Sequence, residues 1–122
     1  MNNKEYILEE TDWGLHLKFS PNTVTNSSNV PEMIDDVLES CERSGKTKIL
    51  WDSENITRSS SIIDSYNYAA LVEKKKNLPL KIAVYAPSKI EESRFIENLH
   101  LNRGTLVKFF PSREQGIEWL ID

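Results

Sequence analysis

Cysteine and histidine are scarce in this sequence, which leaves little besides packing to hold the fold together. One cysteine, Cys41, occurs in 122 residues. No disulfide can therefore form within the chain, and a reducing cytoplasm is the expected location. The two histidines, His16 and His100, are far apart and show no metal-ligand spacing, so neither a metal nor another cofactor is predicted.

Long apolar segments are also absent. No stretch approaches the ~20 apolar residues that a membrane-spanning helix needs. Residues 1–10 are polar and acidic and lack the apolar segment of a secretory signal. We therefore expect no membrane span.

Basic residues are fewer than acidic residues. The chain has 15 basic against 19 acidic residues and a formal net charge of −4. Binding to nucleic acid depends on clustered Lys and Arg side chains, and the one basic run, Lys74-Lys75-Lys76, is typical of a helix end. No nucleic-acid partner is predicted.

Catalytic motifs are missing as well. The sequence contains no Gly-rich phosphate loop, nucleophile elbow or dinucleotide-binding fingerprint. Its acidic pairs, such as Asp35-Asp36, fall on polar faces and are typical of solvated charges. We predict that the protein is not an enzyme; the catalytic alternative, a small hydrolase, lacks a paired nucleophile and base.

The chain does have clear hydrophobic periodicity. With 39% hydrophobic residues, its length suits a single domain over residues 1–122. Apolar residues alternate with less apolar ones at Trp13, Leu15, Leu17 and Phe19, which indicates a strand with one buried face. Residues 5–10 are predicted to pair with it as an antiparallel hairpin across a tight turn at Thr11-Asp12.

Helices and strands alternate in the remainder. The patterns predict a helix from about Pro31 to a stop at Gly45, and a second helix over 62–76. Capping boxes at 88–91 and 112–115 open two further helices. Apolar strands are predicted at 48–52, 80–86 and 105–110. The order β-β-α-β-α-β-α-β-α predicts an α/β fold: a mixed five-stranded sheet of a hairpin and parallel core strands, with helices packed on it.

The C-terminal third resembles the ending of SpoIIAA-like proteins of the STAS/SEC14 group. The resemblance is carried by Asn102-Arg103-Gly104, the strand Leu106-Val107-Lys108-Phe109-Phe110, and the following segment 112–120 with its closing Trp119-Leu120. The middle is also similar, with a strand ending in Asp52 and a helix containing Asp64 and Tyr66. The resemblance implies a non-catalytic regulatory module that binds another protein.

The resemblance also implies a candidate phosphoacceptor. In the antagonist branch a serine is phosphorylated at the start of the helix after the third strand, within an Asp-Ser-Ser-Gly-like segment. The equivalent stretch here is 58–62, where Ser60 or Ser61 takes the matching place beside Ser59, and the Asp and Gly are replaced. The same serines also fit as caps of the second helix.

The loop 53–61 is the candidate contact surface on general grounds too. Ligands of open α/β sheets gather at the carboxyl ends of strands, and N–H groups at a helix start attract anions. The candidate partner or anion-binding residues are Asp52, Ser53, Asn55, Thr57 and Arg58. Hairpin edges and exposed helices also allow a homodimer.

A different function remains open beside this one, namely a carrier or sensor of a small apolar or lipid-like ligand. The likeness to the SEC14 group implies it. The residues predicted to line a pocket between the second helix and the sheet are Tyr66, Tyr68, Ala69 and Ala70. The same mixture of small and aromatic residues is also typical of tight core packing.

Overall fold

A computed structural model of the chain describes residues 5–54, 56–58, 62–87 and 93–122. Seven strands and four helices are described there. The strands are β1 (Tyr6–Glu10), β2 (Leu15–Phe19), β3 (Thr23–Thr25), β4 (Lys48–Asp52), β5 (Ile56–Arg58), β6 (Lys81–Tyr85) and β7 (Leu106–Phe110), and the helices are α1 (Val30–Ser44), α2 (Ile62–Lys75), α3 (Ser93–Leu101) and α4 (Arg113–Ile121).

The main sheet has five strands in the order β1-β2-β4-β6-β7. β1 and β2 form the antiparallel hairpin, with Tyr6 opposite Phe19, and the other three pairs are parallel. This confirms the predicted mixed sheet and the predicted order of its strands and helices. Parallel neighbours require crossovers on the sheet faces, which the helices supply.

The two faces of the sheet carry different layers. Alternation along β4 sends Ile49 and Trp51 to the side of α1 and α2, and Leu50 to the side of α4. Both Ile49 and Leu50 are fully buried, as a strand covered on both faces requires. α3 packs on β7 and beside α2, so three helices cover one face and α4 covers the other.

A second, two-stranded sheet was not predicted. β3 and β5 pair in parallel, with Val24 opposite Thr57. The predicted loop 53–61 contains the three-residue strand β5, and the equally short β3 lies in the segment between β2 and α1. Three residues with one apolar side chain give no local signal, because their pairing depends on a partner far away in the chain.

The hairpin turn is longer than predicted. Trp13 and Gly14 belong to the turn, and β2 begins at Leu15. Thr11 holds the turn together: its N–H donates to the Gly14 carbonyl at 2.8 Å, and the Gly14 N–H donates to Thr11 Oγ1 at 3.0 Å. A Cβ on Gly14 would lie 2.1 Å from the Lys48 carbonyl oxygen, so the turn passes against the start of β4.

Helix ends follow their sequence signals where they are described. α1 ends at Gly45, whose φ of 75° is left-handed and whose N–H donates to the Cys41 carbonyl. Ser112 caps α4, and its Oγ accepts from the Gln115 N–H. The predicted capping box at 88–91 lies outside the described residues. Across the described helices, none combines the length and the apolarity that crossing a membrane requires.

Candidate functional site

A cavity of about 370 Å³ lies between the main sheet and the helices of its three-helix face. Protein interiors are close-packed and contain few voids larger than a water molecule. A cavity of this size falls within the range of small-molecule sites, which are concave and mostly apolar. It is therefore a candidate binding site.

Alternating side chains of three parallel strands form the floor of the cavity. β4 contributes Trp51, β6 contributes Ile82 and Val84, and β7 contributes Val107 and Phe109. They line up because Trp51, Val84 and Phe109 are neighbours in register across the three strands. The helices close over this floor with Ile34 of α1, Tyr68 and Val72 of α2, and Ile96 and His100 of α3.

Polar groups mark the end of the cavity at the carboxyl edge of the sheet. Ser53 and Glu54, which follow β4, line the cavity here. Pro87, which follows β6, is an apolar neighbour at the same end. Thr25 of β3 also lines it, so the small second sheet borders this end. Binding sites of open α/β sheets lie at this edge.

His100 marks the other end of the cavity. Its carbonyl accepts a hydrogen bond from the Thr105 N–H at 2.9 Å, and Thr105 directly precedes β7, so His100 lies towards the amino edge of the strands. The Nδ1 atom of its ring is buried and has no hydrogen-bond partner within the described residues. Burial, and then the charges of Lys76 and Arg103, lower the pKa of His100 to about 4.

The cations beside His100 are unequally neutralised. Arg103 forms an ion pair with Glu73 at 2.8 Å. Lys76 Nζ instead donates to two uncharged acceptors, the Gly104 carbonyl at 2.5 Å and Thr105 Oγ1 at 2.9 Å. The His100 end of the cavity is therefore electropositive, whereas at the other end Glu54 is paired with a cation, Arg113.

A cluster of charged side chains lies on the opposite face of the sheet. Asp52 of β4 is only 5% exposed, and its Oδ2 lies 2.9 Å from His16 Nε2 and 2.6 Å from Arg113 Nε. Its Oδ1 accepts from the Glu54 N–H at 3.1 Å. Burial by itself would raise the pKa of Asp52, but the hydrogen bonds from His16, Arg113 and the Glu54 N–H outweigh burial and lower the pKa to about 2.

Arg113 connects this cluster to α4 and to the rim of the cavity. It begins α4, its guanidinium lies 4.8 Å from the centre of the Tyr85 ring, and it also pairs with Glu54. The hydrogen bond to Asp52, together with that pair, raises the pKa of Arg113. His16 of β2 and Arg113 of α4 contact the same oxygen of Asp52. The cluster therefore ties α4 to the sheet.

The predicted partner and anion residues are divided between the two faces. Asp52 lies in the charged cluster, and Ser53 lines the cavity with its N–H bonded to the Tyr85 carbonyl. Thr57 and Arg58 belong to β5. Asn55, Ser59, Ser60 and Ser61 lie outside the described residues.

The predicted pocket residues are divided as well. Tyr68 lines the cavity. Tyr66 is 45% exposed on the outer side of α2, Ala69 is fully buried, and Ala70 is half-buried. Successive helical positions point in different directions, so four residues taken from the stretch 66–70 cannot share one wall.

Sequence reasoning missed most of the cavity wall and the electropositive end. The sequence predicts the strand residues of the floor as core, because an apolar run has the same pattern whether it packs on a helix or borders a cavity. His100 was considered only as a metal ligand, and the described residues include no group of three His, Cys, Asp or Glu that could hold a metal ion. The sequence separation of His100 and Lys76 does not predict that they lie close together, since His100 belongs to α3 and Lys76 follows α2.

The chain matches no protein-family model, and no curated protein matches it.

Proposed function

We propose that this domain binds a small, largely apolar ligand in the cavity between the main sheet and α2 and α3, as a carrier or a sensor. The observation that carries the proposal is the cavity itself, with about 370 Å³ of space between apolar strand and helix side chains. A concave, mostly apolar surface of this size can be covered by a ligand of matching shape, which removes apolar area from water.

The chemistry of the lining defines the class of ligand. Apolar side chains such as Ile82, Val84 and Phe109 favour an apolar body. Trp51 and Tyr68 add aromatic surface, and the polar groups are confined to the two ends. A strongly polar ligand such as a sugar or nucleotide would leave most of its hydrogen-bonding groups unpaired against this wall.

The first test is to fill the cavity from its floor. In Val84→Trp the larger side chain occupies the ligand space, so binding of an apolar fluorescent probe to the purified protein should fall at least about tenfold. Fluorescence titration measures it, and native mass spectrometry of protein isolated from its own cells shows whether a small molecule is bound.

A matched control uses the same kind of enlargement away from the cavity. Leu106 is 47% exposed on the edge strand β7, so Leu106→Trp should leave probe binding unchanged. Equal affinities for wild type, Val84→Trp and Leu106→Trp would show that the probe binds elsewhere and would remove the support for this function.

A second candidate function is the docking of a partner protein, as the sequence predicts. Tyr66 of α2 and Phe95 of α3 are 45% and 37% exposed, and their rings meet edge-on with centroids 5.7 Å apart. Exposed aromatic residues are enriched in protein interfaces. The serine switch and the cytoplasmic location stay predictions.

Site-specific photo-crosslinking in cells distinguishes docking from ligand carriage. A photoreactive residue at Phe95 should give a discrete protein adduct, whereas one at Ile121, which is 57% exposed on α4, should give none. The same pattern of adducts at both positions would count against a docking surface on α2 and α3.

A further inference from the structure

The two ends of the cavity differ in charge, and this difference bears on which end of a ligand goes where. Glu54 and Ser53 lie at the carboxyl edge of the strands, and His100 lies towards the amino edge. The floor between them runs from Ile82 to Ala86, which is roughly 13 Å at ~3.3 Å per residue. An elongated molecule lying along the strands would have one end at each edge.

His100 is the polar group that lacks a partner at its end. No side-chain hydrogen bond of His100 is formed within the described part of the chain, and its Nδ1 is buried. A neutral imidazole carries one N–H donor. Because Nδ1 has no partner within the described residues, the ring keeps hydrogen-bonding capacity that an acceptor group of the ligand can fill.

The charges around the His100 ring favour a negatively charged acceptor. Lys76 at the end of α2 has uncharged partners, Gly104 and Thr105, and no carboxylate among the described residues. Arg103 faces the ring from the turn after α3 and is paired with Glu73. A ligand cation would be repelled here, whereas an anion would be attracted.

Acidic groups nearby do not cancel this field. Glu97 lies one turn before His100 on α3, and its Oε2 accepts from the Phe109 N–H at 2.8 Å. Glu73 is occupied by Arg103. On α2, α3, β7 and the turn after α3, the charged groups around His100 are therefore Lys76, Arg103, Glu73 and Glu97, and Lys76 is the one without an acidic partner within the described residues.

We propose that the ligand is an apolar monocarboxylate whose carboxylate lies at His100 beneath Lys76, with its apolar body along the strands towards Glu54. This proposal rests on the proposed function, because it names the class of ligand for the same cavity. The carboxylate accepts from the His100 ring and shares the field of Lys76. Its presence also favours uptake of a proton by the ring, which then bears a charge opposite to that of the ligand.

Three probes that differ only at one end test the proposal. Decanoate, decanol and decylamine have the same apolar chain and carry an anionic, a neutral and a cationic end. Isothermal titration calorimetry on the full chain should rank them decanoate, decanol, decylamine, with decanoate at least about tenfold tighter than decanol, which corresponds to ~1.4 kcal/mol.

Two substitutions assign the effect to the named groups. His100→Phe keeps an aromatic ring without nitrogen, and Lys76→Met keeps an unbranched side chain without charge. Each should weaken decanoate about tenfold and leave decanol nearly unchanged, which also shows that the cavity is intact. Lys74→Met is the control: Lys74 lies exposed in the last turn of α2, two residues before Lys76, and its loss removes the same charge but should leave decanoate binding unchanged.

Proton uptake provides a readout that a purely structural role would not change. Calorimetry of decanoate in two buffers of different ionisation enthalpy should show protons taken up on binding, increasingly as the pH falls from about 8 to about 6. His100→Phe should abolish the uptake.

The outcomes separate this inference from the proposed function. If decanol binds as tightly as decanoate, or if His100→Phe leaves decanoate unaffected, the carboxylate assignment is overturned while the cavity remains a ligand site. If none of the three probes binds and the isolated protein carries no small molecule, both proposals fail.

Discussion

Asp52 shows how one buried residue depends on its neighbours. A buried carboxylate is costly unless it is paired and hydrogen-bonded. Here one oxygen faces His16 and Arg113 and the other accepts from a backbone N–H. The charged form is thereby favoured, although burial opposes it.

Replacing Asp52 by Asn tests this balance. The pKa of Asp52 is about 2 in the folded protein and about 3.9 in an unfolded chain. The contribution of the carboxylate is thus present above pH ~3.9 and is lost as the pH falls towards ~2. Asp52→Asn should lower the free energy of unfolding by about 2 kcal/mol at neutral pH, and the difference from wild type should shrink in acid.

Urea denaturation at several pH values measures this difference. Glu9→Gln is the control, because Glu9 and Lys18 form an exposed pair at 3.3 Å and exposed pairs contribute little. A difference between wild type and Asp52→Asn that persists undiminished at pH 2 would contradict the assignment.

Single residues could be predicted where local pattern decides their place. Cys41 shares the helical spacing of the apolar residues of α1, and it is 1% exposed; burial raises its pKa to about 11. The Asp52 cluster could not be predicted, because His16 and Arg113 reach Asp52 from other elements. Their meeting depends on strand register and on the face of the sheet that α4 covers.

At the scale of elements, the strongest local signals coincide with the structure. The strand at 48–52 has its predicted bounds, and α1 begins within one residue of Pro31 and ends at Gly45. β3 and β5 were missed because three residues are too few to establish a periodicity. The cavity was missed in most of its lining because hydrophobic pattern identifies buried faces and not the space between them.

The hairpin turn gives an element-scale prediction. Gly14→Ala would place a Cβ 2.1 Å from the Lys48 carbonyl oxygen, and two backbones must separate to relieve the clash. We expect the free energy of unfolding to fall by about 2 kcal/mol or more, as for an overpacked core site.

Gly45→Ala is the matched comparison. Gly45 has a φ of 75°, and nothing lies within 4 Å of the place where its Cβ would be, so the cost is conformational and about 1 kcal/mol. Chemical denaturation of both variants measures the two costs. Equal losses would mean that the turn shifts away from β4 freely.

At the scale of the whole molecule, the two faces of the main sheet are covered differently. Three helices leave space over one face of the sheet, and α4 with the Asp52 cluster closes the other face. Glu54 belongs to both regions, since it lines the cavity and pairs with Arg113. Under the proposed function, a ligand that enters at this rim would pass next to the ion pairs that fix α4.

The parallel arrangement of β2, β4, β6 and β7 also constrains the order in which the chain can assemble. The hairpin of β1 and β2 can form early, because its turn is short. Each parallel pair must first close a connection of roughly 20–30 residues, and chain entropy opposes that closure until the contacts form. We therefore expect the parallel strands that form the cavity floor to pair more slowly than the hairpin. The cavity is complete only after the last of these strands has paired.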